Sequence, residues 1–412
     1  MRRSAHSKID SDVTAETRRT QSKRGERRKT IPGFSPRFLR ALCVSAVSIV
    51  ASTAQPLTCR NGQCERVIYG SAPAGARLRI RAHGPVTLDA GVANDLTYVV
   101  SVKVNARTEA EGRRTLQQFA VHAESAGPWT VISMPGGAAL TSVTVKAPRL
   151  TEASIYTSDG AVEAYGVEGP VSIESGAGAL KADRIRGDCH MVTGGGAVQV
   201  GQIGGSLHCT TGAGAIAVRS VRGDAVMETQ GGDITAVEAG GAVRADTGGG
   251  GVHIVHAGGF VSATSGGGEI IVEKAAGIVN ARNMAGPVQV GAAGGVRCES
   301  ASGGVRLSHI VGSMNVSTSV GSIMANLFGS RLADSFLATA NGDITVLIPS
   351  NVGVTIQAQN RMADTLRRIV SDFPGIQARR QGTVVVAEGS VNGGGALLQI
   401  VGTGGTIFIR KQ

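Results

Sequence analysis

His190 and His208 stand 18 residues apart in a chain whose middle repeats at that same interval. If the repeat stacks, the two imidazoles face outward on adjacent rungs, close enough to share a metal ion. Two ligands are too few for a site, so no metal is expected, and His190 and His208 stand as its candidates. Cys189 and Cys209 flank the pair at offsets that point inward, and with Cys298 they read as small buried apolar residues. Acid–base chemistry has one candidate constellation, Glu163, Lys181, Asp183 and Arg184, with Glu163 directly beneath Lys181 and Tyr156 and Tyr165 nearby. A polysaccharide-cleaving β-helix gathers carboxylates and bases on such an outer face. The same four residues also make an ordinary cross-rung ion pair on a solvated surface, and that is the expected role. His253 with Glu273 and Lys274 forms a second patch of the same kind. No catalytic or cofactor-binding residue is assigned, no cofactor is expected, and the chain reads as a non-enzyme.

Composition excludes several other classes. The chain has 60 glycines in 412 residues, but the glycine runs are not phosphate loops, because none leads from a strand into a helix with a following lysine. Calcium-binding glycine repeats need an aspartate in every turn, and Asp233 and Asp343 alone occupy such places. The net charge of +11 suggests nucleic acid until it is located. Residues 1–40 hold 12 Lys or Arg against 4 Asp or Glu, a net of +8, which leaves +3 for the rest. Without a basic stripe on the repeat, no nucleic-acid partner is expected.

That basic region precedes Ala41–Ala54 (ALCVSAVSIVASTA), an apolar stretch ending in small residues, which is the layout of an export signal. A membrane span needs about 20 residues, so cleavage near Ala54 is favoured over a permanent tether through residues 41–54. Export to the periplasm or cell surface is therefore expected. In an oxidising compartment Cys59 and Cys64, which bracket the polar loop CRNGQC, are candidates for a disulfide.

These residues must be positioned by the repeat. Coils starting at Thr157, Ser175, Thr193, Thr211, Thr229, Thr247, Ser265, Asn283, Ser300, Thr318 and Thr339 align residues 151–349 on an 18-residue period, with one residue missing before Ser300 and three extra before Thr339. Position four is glycine in every coil, from Gly160 through Gly342, and position six is aliphatic, from Val162 through Ile344. Position eight is also aliphatic while seven is mostly polar, the alternation of a half-buried strand. A second glycine column, Gly169 through Gly277 and then Gly295 and Gly312, precedes another alternating run. Each coil is thus strand, glycine turn, strand, glycine turn, with glycine expected to supply backbone angles that other residues avoid. Stacking coils at roughly 4.8 Å pairs like strands in parallel and superimposes like residues. The hydroxyl at position one, replaced by an amide at Asn283, is expected to form a polar ladder that exchanges hydrogen bonds between rungs.

The fold class is therefore all-β: a single-stranded parallel β-solenoid, or β-helix, of 18-residue coils behind an N-terminal β-rich cap with one short helix. The expected divisions are a basic tail with export signal or anchor over 1–54, the cap over 55–150 with its helix near 107–119, the solenoid over 151–349, and C-terminal coils and cap over 350–412.

The coils of the form T-G-G-G-x-V, the segment Thr339-Ala340-Asn341-Gly342-Asp343-Ile344 running into Leu347-Ile348-Pro349, and the closing Gly389-Ser390-Val391-Asn392-Gly393-Gly394-Gly395 with Gly404-Gly405-Thr406-Ile407 carry a resemblance. Over residues 66–410 the chain resembles the bacterial putative adhesin family, β-solenoid proteins with an export signal or membrane anchor. The resemblance implies the fold and a surface location, and it brings no functional residues with it. The expected function is a non-catalytic exported adhesin or envelope scaffold whose partner is an envelope or cell-surface protein or a polysaccharide. A carbohydrate-active β-helix enzyme and a membrane-tethered periplasmic sensor or assembly factor are the alternatives.

Overall fold

The computed structural model describes residues 53–54, 57–60, 62–137, 139–329, 332–361 and 365–412. The basic tail, Cys43 and the apolar segment up to residue 52 lie outside the described residues, as does the expectation of an export signal that falls on them. The chain separates into two units, Met1–Ala46 and Val47–Gln412, and everything below concerns the second.

Apolar–polar alternation in each half-coil produces two strands, and the strands of successive coils pair in parallel into two long sheets. Val162, Leu180, Val198, Ile216, Ile234, Val252, Ile270, Val288, Val305, Ile323 and Ile344 lie one above another in the first sheet. Each of these side chains is at most 2% exposed. In the second sheet Val171, Cys189, Leu207, Ala225 and Val243 form the facing inward column. A fully buried Val or Ile contributes about 2 kcal/mol, so the core gains its stability by repetition rather than from any one coil.

The position-one ladder exchanges hydrogen bonds between rungs as expected, with glycine backbone as the partner. The hydroxyls do not bond to one another. Thr193 Oγ1 donates to the Gly178 carbonyl of the preceding rung at 2.8 Å, and Thr211, Thr229 and Thr247 donate to Gly196, Gly214 and Gly232 in the same way. Each oxygen also accepts the N–H of the position-four glycine in its own coil, as from Gly250 to Thr247 at 3.1 Å. The ladder therefore runs alternately through hydroxyls and glycine backbone.

The position-four glycines divide between the reason expected, an unusual backbone angle, and a second one, close approach between rungs. Gly178, Gly196, Gly214, Gly232, Gly250 and Gly268 do not occupy the left-handed region, but a β-carbon on any of them would overlap the carbonyl group of the glycine one rung below. Close approach of backbone to backbone excludes side chains in these coils, while Gly160, Gly286, Gly303, Gly321 and Gly342, at φ +104°, +103°, +154°, +149° and +152°, also hold the unusual angle expected of glycine.

The missing residue is placed by pairing. Lys274 faces Ala292, whereas Ile278 faces Gly295, so the deletion falls in the turn between these pairs. Gly294, not Gly295, continues the second glycine column, donating its N–H to the Gly277 carbonyl at 3.0 Å. The ladder is imperfect nearby: the buried Ser300 Oγ and Asn283 Oδ1 have no hydrogen-bond partner among the described residues. Asn283 Nδ2 still donates to the Gly268 and Gly286 carbonyls at 2.9 and 3.0 Å.

Both ends are built out of sequence order. Arg77–Ala82 lies between the later strands Trp129–Ser133 and Glu152–Thr157, and Val86–Ala90 lies between Leu140–Ala147 and Val162–Tyr165. The same device closes the other end, where Ala396–Gly404 inserts between Ser335–Asn341 and Val354–Asn360. Ile407–Lys411 likewise sits between Ile344–Ile348 and Ile369–Ser371. Antiparallel strands then cover the open edges, Leu96–Asn105 against Leu140–Ala147 and Val384–Val391 against Val354–Asn360. The helix Glu109–Gln118, capped by Thr108, buries Leu116 against Gln63–Ala72 and Leu96–Asn105. None of the described helices is long and apolar enough to cross a membrane.

Because the last coil is a central rung, deleting Ala396–Gln412 should expose edges on both of its neighbours. The shortened chain is expected to lose stability well beyond the 17 residues removed and to self-associate, as read by urea denaturation and size-exclusion chromatography. A monomer with an unchanged midpoint contradicts the inserted-coil topology.

Candidate functional site

Parallel register turns outward positions into columns. On the second sheet one column runs Val131, Arg79, Ser154, Ser172, His190, His208 and Val226. The two serines are short, and the larger residues on either side leave a groove of about 510 Å³ along this corner of the stack. At one end the Arg79 guanidinium lies 4.6 Å from the centroid of the Trp129 ring, with Arg77 at 5.7 Å. At the other end the imidazoles of His190 and His208 stack 5.0 Å apart and 12° from parallel. Cys189 and Leu207, buried beneath, fix the floor.

The groove's carboxylates are held internally. Glu152 pairs with Arg77 at 3.3 Å. Asp188 accepts the Ser206 N–H at 2.7 Å, and Asp224 accepts the Ala242 N–H at 2.8 Å, so each aspartate joins one rung to the next. The stacked histidines are not joined by enough further donors for a metal: no group of three or more His, Cys, Asp or Glu able to hold an ion occurs among the described residues.

Glu163 and Lys181 are neighbours in the first sheet. The Tyr165 hydroxyl donates to Glu163 Oε2 at 2.8 Å, while Lys181 Nζ and Arg184 Cζ lie 5.7 and 5.8 Å from the Tyr165 ring centroid. Burial, followed by the Glu163 hydrogen bond, raises the Tyr165 pKa. Contact with Tyr165, and then the charge of Glu163, raises that of Lys181. Asp183 accepts the Gln202 N–H at 2.9 Å, the same inter-rung role as Asp188. Tyr156 does not flank this patch, because its strand, Glu152–Thr157, belongs to the other sheet, where the side chain is exposed. His253 meets Glu273 at 2.8 Å, and Lys274 stands apart from His253, paired across rungs with His256.

Arg79, Trp129, Ser154 and Ser172 were not singled out from sequence. The available signal was alternation in RLRIRA and WTVIS, which marks strands, but neither segment carries the glycine offset that would register it with the coils.

Cys59 and Cys64 are joined by a disulfide across an antiparallel pair. The remaining described cysteines are buried and free. Burial pushes the Cys189 and Cys298 thiols up to about 12 and raises Cys209 as well.

No protein-family model matches this chain, and no curated protein matches it. Among solved structures, it is similar to one described as a putative cell adhesion protein from Clostridium sporogenes ATCC 15579, at 9% identity and a TM-score of 0.17, over 88% of this chain and 100% of that one. It is also similar to a putative adhesin from Bacteroides fragilis NCTC 9343, at 11% identity and a TM-score of 0.24, over 68% of this chain and 95% of that one.

The thiols give a direct check on burial. Cys189, Cys209 and Cys298 should resist iodoacetamide in the native protein at pH 8 and react in denaturant; labelling in the native state contradicts their inward placement. Their folded pKa values lie above the ordinary 9.0, so their stabilising contribution is complete below that pH. It is lost as pH rises from 9 toward about 12, where the unfolded chain ionises thiols that the folded chain keeps neutral.

Proposed function

We propose that this chain is a non-catalytic, exported adhesin or envelope scaffold that presents a rigid surface to an envelope or cell-surface protein or a polysaccharide. The observation that carries this reading is the allocation of its polar groups. Glycines and most position-one hydroxyls are consumed by the stack, while Asp183, Asp188 and Asp224 join rung to rung and Glu163 holds Tyr165. General acid–base catalysis needs carboxylates within reach of a substrate proton and tuned for transfer. These carboxylates instead organise the surface. What remains is a set of outward columns at fixed spacing, which suits recognition over an extended face. Export is supported by the basic and apolar segments of the first 54 residues, and the Cys59–Cys64 disulfide accords with an oxidising compartment.

The experiment combines fractionation of cells expressing the full chain with incubation of the purified protein and envelope polysaccharides and proteins. The expected result is protein in the exported fraction that retains an envelope component without generating new reducing ends. New reducing ends that disappear in Glu163→Gln contradict the reading and favour a carbohydrate-active enzyme. Recovery in the inner membrane with the N-terminal tail protected from external protease contradicts it in favour of a tethered factor.

A further inference from the structure

We infer that the groove between Trp129 and the stacked histidines is a binding subsite for a carboxylate-bearing polysaccharide. The inference rests on the binding-scaffold reading and names the ligand class for one part of that surface.

Its basis is an imbalance between used and unused hydrogen-bonding groups. Each of the groove's carboxylates, Glu152, Asp188 and Asp224, already has a partner within the protein. The donors are in the opposite state. Among the described residues Arg79 makes no hydrogen bond or ion pair, although the Trp129 ring 4.6 Å away holds its guanidinium in place. With its Cζ over the ring, the guanidinium keeps N–H groups that no acceptor among the described residues takes up. A planar edge of N–H donors matches the two oxygens of a carboxylate. Arg77, by contrast, is paired with Glu152 at 3.3 Å. The ring nitrogens of His190 and His208, and the hydroxyls of Ser154 and Ser172, are likewise without hydrogen-bond partners among the described residues.

The spacing selects a chain rather than a single anion. From Arg79 to His190 there are three rung steps, about 14 Å at the usual strand separation. One rung is close to the length of one sugar residue, so successive residues of a polysaccharide lying along the column meet Arg79, Ser154, Ser172 and His190 in turn. The serine hydroxyls both donate and accept, as sugar hydroxyls do. Exposed Tyr156, on the same strand and face as Ser154, adds an aromatic surface beside the groove.

The test measures binding of hexagalacturonate to the full-length protein by calorimetry, with its methyl ester and polyglutamate as comparison ligands. Hexagalacturonate is expected to bind, the ester at least tenfold more weakly, and polyglutamate no better than the ester. Arg79→Gln should weaken binding at least tenfold, and Arg79→Lys, which keeps charge but loses the planar fork, should fall between. Arg297→Gln, further along the same column and paired with Glu299 at 3.3 Å, should bind as the parent does. Matching thermal denaturation curves establish that the variants are folded. No binding of hexagalacturonate, equal binding of the ester or polyglutamate, or equal losses in Arg79→Gln and Arg297→Gln would each overturn the assignment. Such a failure leaves retention of an envelope component intact, so it is distinguishable from failure of the scaffold reading.

Discussion

The approach of successive coils at position four sets the geometry of everything else. There the backbone of one rung lies so close to the carbonyl below that a β-carbon on Gly196, Gly214 or Gly232 would overlap it. The preceding turn is held by a hydroxyl that bonds to both glycines, accepting from its own coil and donating to the coil beneath, as Thr211 does with Gly214 and Gly196. A buried hydroxyl with both bonds made contributes about 1 kcal/mol per bond, while one left unpaired costs about 1–3 kcal/mol. The corner therefore fixes rung spacing and register together. A slip of one residue would turn every inward valine outward.

From that corner the outward columns follow. His190 stacks on His208 because their strands are in register, and the groove exists because Ser154 and Ser172 follow Arg79 in the same column. The rung-joining aspartates extend the same economy of groups to the surface, where Asp188 and Asp224 bond to the next coil's backbone. The ends solve a separate problem. A stack of parallel strands has open edges that could add further chains, and the insertion of Arg77–Ala90 and Ala396–Lys411 between neighbours makes each end an assembly of distant segments before antiparallel strands cover it.

The repeat was legible because its columns are defined by side-chain type: glycine at four, aliphatics at six and eight, hydroxyl at one. Its physical reasons were less so. Conformational freedom and close approach both select glycine, and only coordinates separate Gly160, at φ +104°, from Gly232, where contact with the rung below decides. Gly294 and Gly295 are adjacent and identical, so pairing alone identifies which one continues the column. The groove combines His190 and His208, marked by the period, with Arg79 and Trp129, whose strands join the stack out of order and so lack any periodic signal. Tyr156 and Tyr165 are nine residues apart, yet the turn between them sends them to different sheets.

Inter-rung contact, rather than glycine content, holds this solenoid together, and two adjacent glycines test it. Gly231 has nothing within 4 Å of the position its β-carbon would occupy, whereas a β-carbon on Gly232 would overlap the Gly214 carbonyl. Chemical denaturation of Gly231→Ala should give a stability within about 1 kcal/mol of the parent, with any gain arising from reduced freedom in the unfolded chain. Gly232→Ala should lose about 2 kcal/mol or more, because the rungs must separate to admit the methyl group. Equal effects of the two substitutions would contradict the claim.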